Sequence, residues 1–180
     1  MSQATIDQLA DNVPTAEVYQ HPIHRLRVAL ITGQLASSIM LLLMMAVSLV
    51  SGDGAFYPLR VIGSMALGDR AMTGDGTFPI AIGLLLNQFA LTLVWSVAFW
   101  AVLEALHVRD RGKLALMGLG LGVVSQILDV NILMGPVMTA LHGHNIYAEH
   151  VPPAMSWVAH LVFGASFACY PGIQRYLDSS

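Results

Sequence analysis

Asp129 is the only Asp, Glu, Lys or Arg in the apolar run from Leu114 to Leu141, with Gln126 one helical turn before it and Asn131 close behind. A carboxylate near the middle of a bilayer costs about 2.5–3.5 kcal/mol on insertion scales, so it should face the protein interior and have a partner. Three polar side chains elsewhere in apolar stretches could supply one: Asn87, Gln88 and His160. His160 is the natural choice, because imidazole can donate whether neutral or charged. Two roles suit such a set. One is a hydrogen-bonded cluster that holds helices in register, each interhelical bond contributing about 0.6–2 kcal/mol. The other is a proton relay, ion site or polar solute site, which a buried Asp beside a His can serve.

A second group could bind metal. His142, His144 and His150 lie in one short polar stretch with Glu149, and Met134, Met138 and His142 recur every four residues before it. Imidazole suits zinc and copper, and thioether donors beside it suit Cu(I). No strict ligand motif is present, so the alternative is a polar loop above a methionine-containing helix. A bis-histidine haem needs two histidines at matching depth, and only His160 lies well inside an apolar stretch; His24 and His107 stand at edges. No cofactor is expected, copper being the alternative. GLGLG at 118–122 precedes apolar helix with no strand before it, which makes it a packing signal and not a nucleotide loop.

The elements that must position these residues are long and apolar. Of the 180 residues 56% are hydrophobic and 11% charged, against roughly 25% charged in soluble domains. An integral membrane protein follows. The formal net charge of -3 offers no basic surface for nucleic acid, and the single Cys169 excludes an internal disulfide. Four spans are expected, over about 28–50, 78–104, 114–141 and 154–173, in a single membrane domain over 25–175. The first alone would be about 34 Å long at 1.5 Å per residue. Gly118 and Gly122 form a small-xxx-small pair for close helix approach. Pro136 should kink the third span.

Between the first two spans, SGDG and TGDG bound a segment in which Pro58, Leu59, Ile62 and Ala66 carry a helix-opening proline and helical spacing. A short interfacial helix is expected there. Residues 1–24 read as a tail, with a short helix at Thr5 to Ala10, and 176–180 as a second tail. Arg25, Arg27, Arg109, Arg111, Lys113 and Arg175 fall on one side, with only Arg60 and Arg70 on the other. The positive-inside rule then puts both termini in the cytoplasm of a bacterial inner membrane, with the histidine loop outside. Short connections make spans two and three, and three and four, antiparallel neighbours.

YPLRVIGSMALG (57–68), the polar break from Gly83 to Gln88, and PPAMSWVAHLVFG (152–164) together make a pattern that resembles a family of small bacterial four-helix membrane proteins with no assigned activity. In that family a Pro, a Trp and a His-Leu-x-x-Gly recur in span four; Pro152 or Pro153, Trp157, His160, Leu161 and Gly164 match them. A His is usual in span two where this chain has Asn87, and the Asp-Val-Asn of span three falls outside the likeness. The resemblance covers about residues 25–172. It implies a four-span bundle with an outer surface helix, and no activity.

The expected fold class is therefore all-α, an integral membrane four-helix bundle with a short extracytoplasmic interfacial helix. The expected function is non-catalytic: an accessory or structural subunit of a larger inner-membrane complex, a respiratory or other energy-converting complex being one option, partnered by lipid and by other subunits or further copies of itself. The alternatives are a proton or small-solute carrier using Asp129 and His160, and an extracytoplasmic copper-binding protein using His142, His144, His150 and Met138.

Overall fold

The computed structural model describes residues 22–74, 76–108 and 110–179, and among these it is all-helical. Helix α1 is Pro22–Ser51. Helices α2 (Tyr57–Leu67) and α3 (Arg70–Thr73) follow. Helix α4 is Phe78–Leu106 and α5 is Arg111–His142. A short α6 (Ile146–His150) leads to α7 (Pro153–Ser166), and α8 is Tyr170–Asp178. Three helices, α1, α4 and α5, are long and apolar enough to cross a membrane.

Several limits differ from the sequence expectation. The tail expected through residue 24 ends sooner, because α1 already starts at Pro22, and residues 1–21, with the helix expected at Thr5 to Ala10, lie outside the described part. Proline suits a first helical position, and Arg25 is held in place by Glu104 of α4 at 3.1 Å. The tail expected from 176 is helical to Asp178. The helix expected over 154–173 is interrupted by a 3₁₀ turn at Phe167–Cys169. Pro171 accounts for the break, since its ring would clash with the Phe167 carbonyl and it has no N–H to offer it.

Two long helices contain wide, π-type turns, Leu86–Leu91 in α4 and Gln126–Met134 in α5. In the second, the Gly135 N–H reaches back to the Val130 carbonyl. Pro136 follows immediately, so the wide turn lies where the proline would otherwise leave a carbonyl without its donor.

Helix α1 packs on the second half of α4 and on α7, while the first half of α5 packs on α7. Glycines allow the last contact. A Cβ on Gly118 or Gly122 would overlap the Gly164 or His160 carbonyl, so the α5 and α7 backbones touch directly. At the other end, α2 lies on the first two turns of α4, burying Pro58, Leu59, Val61, Gly63 and Ser64. Here too a Cβ on Gly83 would overlap the Leu59 carbonyl. The Arg60 guanidinium braces the following loop by donating to the carbonyls of Ala71, Gly74 and Gly76.

Two apolar clusters result. One, with Phe99, Leu103, Leu114, Phe163 and Phe167, fills the end near Arg25 and Glu104; the other, with Val61, Met134, Met138, Ile146 and Tyr147, fills the end capped by α2 and α6. The polar side chains of α4, α5 and α7 lie between them.

Candidate functional site: a polar cavity between the two apolar clusters

Asp129 sits in the wide turn of α5 and is 5% exposed. Its Oδ2 accepts a hydrogen bond from the indole Nε1 of Trp95 on α4 at 2.7 Å. On the other side, His160 of α7 brings its Nε2 to 3.9 Å from the same oxygen. The opposite ring nitrogen, Nδ1, lies 2.9 Å from the Ser156 carbonyl oxygen. A carbonyl only accepts, so Nδ1 carries the hydrogen and a neutral His160 turns a lone pair on Nε2 toward the carboxylate. At 3.9 Å the two groups are an ion pair when His160 is charged, but too far apart for a direct hydrogen bond.

Asp129, His160, Trp95 and Asn87 line one cavity of about 70 Å³. That is room for several waters, each needing about 10–15 Å³. The rest of its wall is mostly apolar and includes Met40, Met44, Met134 and Phe163.

Around the cavity the remaining polar groups are engaged with one another. Asn87 donates from Nδ2 to Ser37 Oγ at 2.8 Å, which ties α4 to α1. The Thr92 hydroxyl donates to the Asn87 carbonyl at 2.6 Å, and the Ser125 hydroxyl to the Gly122 carbonyl at 2.9 Å. A relay of hydroxyls runs beside Asp129. Ser156 donates to Gln126 Oε1 at 2.7 Å. Its one hydrogen is thereby committed, so the Tyr147 hydroxyl, 2.9 Å away, donates to Ser156.

The sequence-derived set is therefore only partly brought together. Asn87, Asp129 and His160 meet at the cavity, and Gln126 joins the adjoining relay. Gln88 does not line it. Its carbonyl accepts from Gln34 at 2.6 Å, and its Oε1 is buried without a partner among the described residues. The expected hydrogen-bond partners of Asp129 were Asn87, Gln88 or His160; the actual donor is Trp95. The reason is depth. Two turns of α4 stand beside α2 before the helix reaches the level of Asp129, so Trp95, two turns beyond Asn87, arrives there. The signal that could find Trp95 is its chemistry: indole N–H only donates and wants an acceptor when buried, and Asp129 is the acidic one within reach. Tyr147 and Ser156 carry no comparable mark in the sequence.

The proposed metal ligands are engaged separately. His142 Nε2 meets the Met65 carbonyl at 3.2 Å, and His150 Nδ1 meets the Tyr57 hydroxyl at 2.7 Å. Met138 is fully buried, its sulfur 3.4 Å from the Tyr147 N–H. His144 stands between Glu149, at 2.7 Å, and Asp69, at 3.2 Å. These two carboxylates raise the His144 pKa above 6.5, Glu149 contributing more. Among the described residues no three His, Cys, Asp or Glu side chains converge on a point that could hold a metal ion.

No protein-family model, curated protein or solved structure matches the chain.

Proposed function

We propose that the chain is a small four-span protein of a bacterial inner membrane that takes a proton or small solute at the cavity between Asp129 and His160. Membrane integration is supported by the apolar length of α1, α4 and α5; in this reading residues 154–173, made up of α7, the 3₁₀ turn and the start of α8, form the fourth crossing. Side chains exposed along the long helices, such as Leu42, Leu93, Val94 and Ile132, suit contact with lipid. Arg111 and Arg175 flank one groove near the Arg25–Glu104 end, and the positive-inside rule makes that end cytoplasmic. Helix α2 then covers the outer end of α4.

The observation that carries the solute reading is the orientation of Asp129. The one carboxylate of its helix faces a cavity shared with a histidine, and both elements that approach it closest, α4 and its own α5, widen into π-type turns nearby. Such turns occur often at functional sites. Proton uptake into proteoliposomes under an imposed pH gradient tests it, with a pH-sensitive dye inside. The wild-type protein should carry protons, alone or with added solute, and Asp129→Asn should slow uptake. Uptake unchanged by Asp129→Asn removes the reading.

A second reading, a non-catalytic subunit of a larger membrane assembly, draws on the same exposed apolar side chains, which a neighbouring subunit would cover as well as lipid does. Native mass measurement after gentle extraction separates the two. A stable lone chain with turnover of its own argues against the subunit reading.

A further inference from the structure

Four polar groups on the cavity wall are already engaged within the protein. The Asn87 amide donates to Ser37, the Thr92 hydroxyl to the Asn87 carbonyl, the Ser125 hydroxyl to the Gly122 carbonyl, and the Tyr147 hydroxyl to Ser156. The Trp95 N–H is taken by Asp129 Oδ2. Apart from the second hydrogen and the Oδ1 of the Asn87 amide, what stays open is of one kind. Asp129 Oδ1 receives no hydrogen bond from a described residue, and His160 Nε2, with Nδ1–H committed to Ser156, offers only a lone pair. Two residues of the cavity wall thus each keep an acceptor that receives no hydrogen bond from a described residue.

His160 Nε2 stands 3.9 Å from Oδ2 of the same carboxylate, and acceptors so placed are complemented by a ligand that brings a hydrogen to them, which leaves neither buried group without a partner. A ligand that offers only carbonyl or ether oxygens adds acceptors to acceptors. The rest of the wall selects the body that carries the donor. Met40, Met44 and Met134 line the cavity with Trp95 and Phe163. Thioether sulfur makes favourable contacts with aromatic rings, and unbranched methionine side chains repack to widen a small space.

We propose that the cavity binds a membrane-dissolved aromatic hydroxyl compound of the phenol or hydroquinone class, its O–H donating to Asp129 or His160 and its ring among the three methionines. This rests on the reading of the cavity as a solute site and names the class of solute. It also gives His160 a binding role, since the Ser156 carbonyl fixes the tautomer that accepts.

The test uses the full chain in lipid nanodiscs, under anaerobic conditions, with three probes of matched chain length. They are an alkylhydroquinone, its dimethyl ether and an alkylammonium. Equilibrium dialysis gives each affinity. The hydroquinone should bind about tenfold or more tightly than the dimethyl ether, the difference made by one good hydrogen bond. That preference should vanish in Asp129→Leu and shrink in His160→Leu. Because the comparison of probes is made on the wild-type protein, a variant that fails to fold does not remove the test. Equal binding of hydroquinone and dimethyl ether overturns the inference. Preferred binding of the ammonium, lost in Asp129→Leu, also overturns it while leaving the solute site standing. If no probe binds and proton uptake is indifferent to Asp129→Asn, the solute site falls as well.

Discussion

Gly120 and Gly122 lie two residues apart on α5, and alanine at each should have opposite effects. Nothing lies within 4 Å of a Cβ built on Gly120. At Gly122 the same methyl group would overlap the His160 carbonyl oxygen and stand 3.2 Å from the Gly164 Cα. Both substitutions gain helix propensity, up to about 0.8–1.0 kcal/mol in a helix interior. Only Gly122→Ala must also push the α5 and α7 backbones away from each other. Overpacking of this kind costs about 1–3 kcal/mol, and a radial gap of about 1 Å forfeits a quarter to a half of the dispersion energy along the seam. The propensity gain is common to both and cancels in their difference. Gly120→Ala should therefore be more stable than Gly122→Ala by about 1–3 kcal/mol, with the wild-type protein at or between them. Unfolding in mixed micelles, followed by tryptophan fluorescence, measures the difference. Equal stability of the two variants would refute the close approach of α5 and α7. The displaced carbonyl belongs to His160, so Gly122→Ala should also impair whatever the cavity binds, and Gly120→Ala should not.

Asp129→Leu should destabilise the fold by about 1–3 kcal/mol, since it leaves the Trp95 N–H buried and unpaired. Asp129→Asn, which keeps an acceptor, should cost less, and the reverse order in the same micelle assay would sink the assignment of Trp95 as donor. His144 should titrate above 6.5 by NMR, and Glu149→Gln should bring it down more than Asp69→Asn. Protonated His144 supports the loop between α5 and α6 fully below its unfolded pKa, and that support is lost as pH rises through the raised value. Equal response to the two substitutions would contradict the order. Arg60→Gln should expose the loop around Gly74 and Gly76 to limited proteolysis while leaving the micelle unfolding transition within about 1 kcal/mol of wild type, because this loop lies outside both apolar clusters. Unaltered cleavage would mean that the three carbonyl contacts do not hold it.

The all-helical class was legible in the long runs without charge, and the helix at 57–67 in Pro58 and the spacing of Leu59 and Ile62. Helix limits were less legible. Counting uncharged residues starts the first helix at Val28, yet charged side chains at a helix end are easily satisfied, as Arg25 is by Glu104. The break at Phe167–Cys169 was visible in principle in Pro171, which acts four residues upstream. The partner of Asp129 was not legible, because it depends on how far α4 has advanced and how it is turned when it reaches that level. Met138 and His142 share a face by spacing, but one is buried under Tyr147 and the other leans on the Met65 carbonyl. Only the packing of α2 and α6 separates them.

The wide turns have a consequence for the length of the chain itself. Gly122 and Met138 are both buried though 16 residues apart; at about 100° per residue an unbroken α-helix would set them about 160° apart. Absorbing one extra residue in the turn between them reduces this to about 60°. Gly83 and Trp95, 12 residues apart across the other wide turn, would go from about 120° to about 20°. Each turn behaves like a single inserted residue whose rotation was taken up locally and never passed on to the rest of the helix. A relative of this protein shortened by one residue inside either stretch would have a more regular helix, with the faces on both sides of it pointing as they do here; losing the wide turn without losing the residue would turn them apart. The cavity keeps its walls because each wide turn holds the two halves of its helix in phase despite the extra residue, and its ancestry is to be sought in one-residue length differences at 86–91 and 126–134.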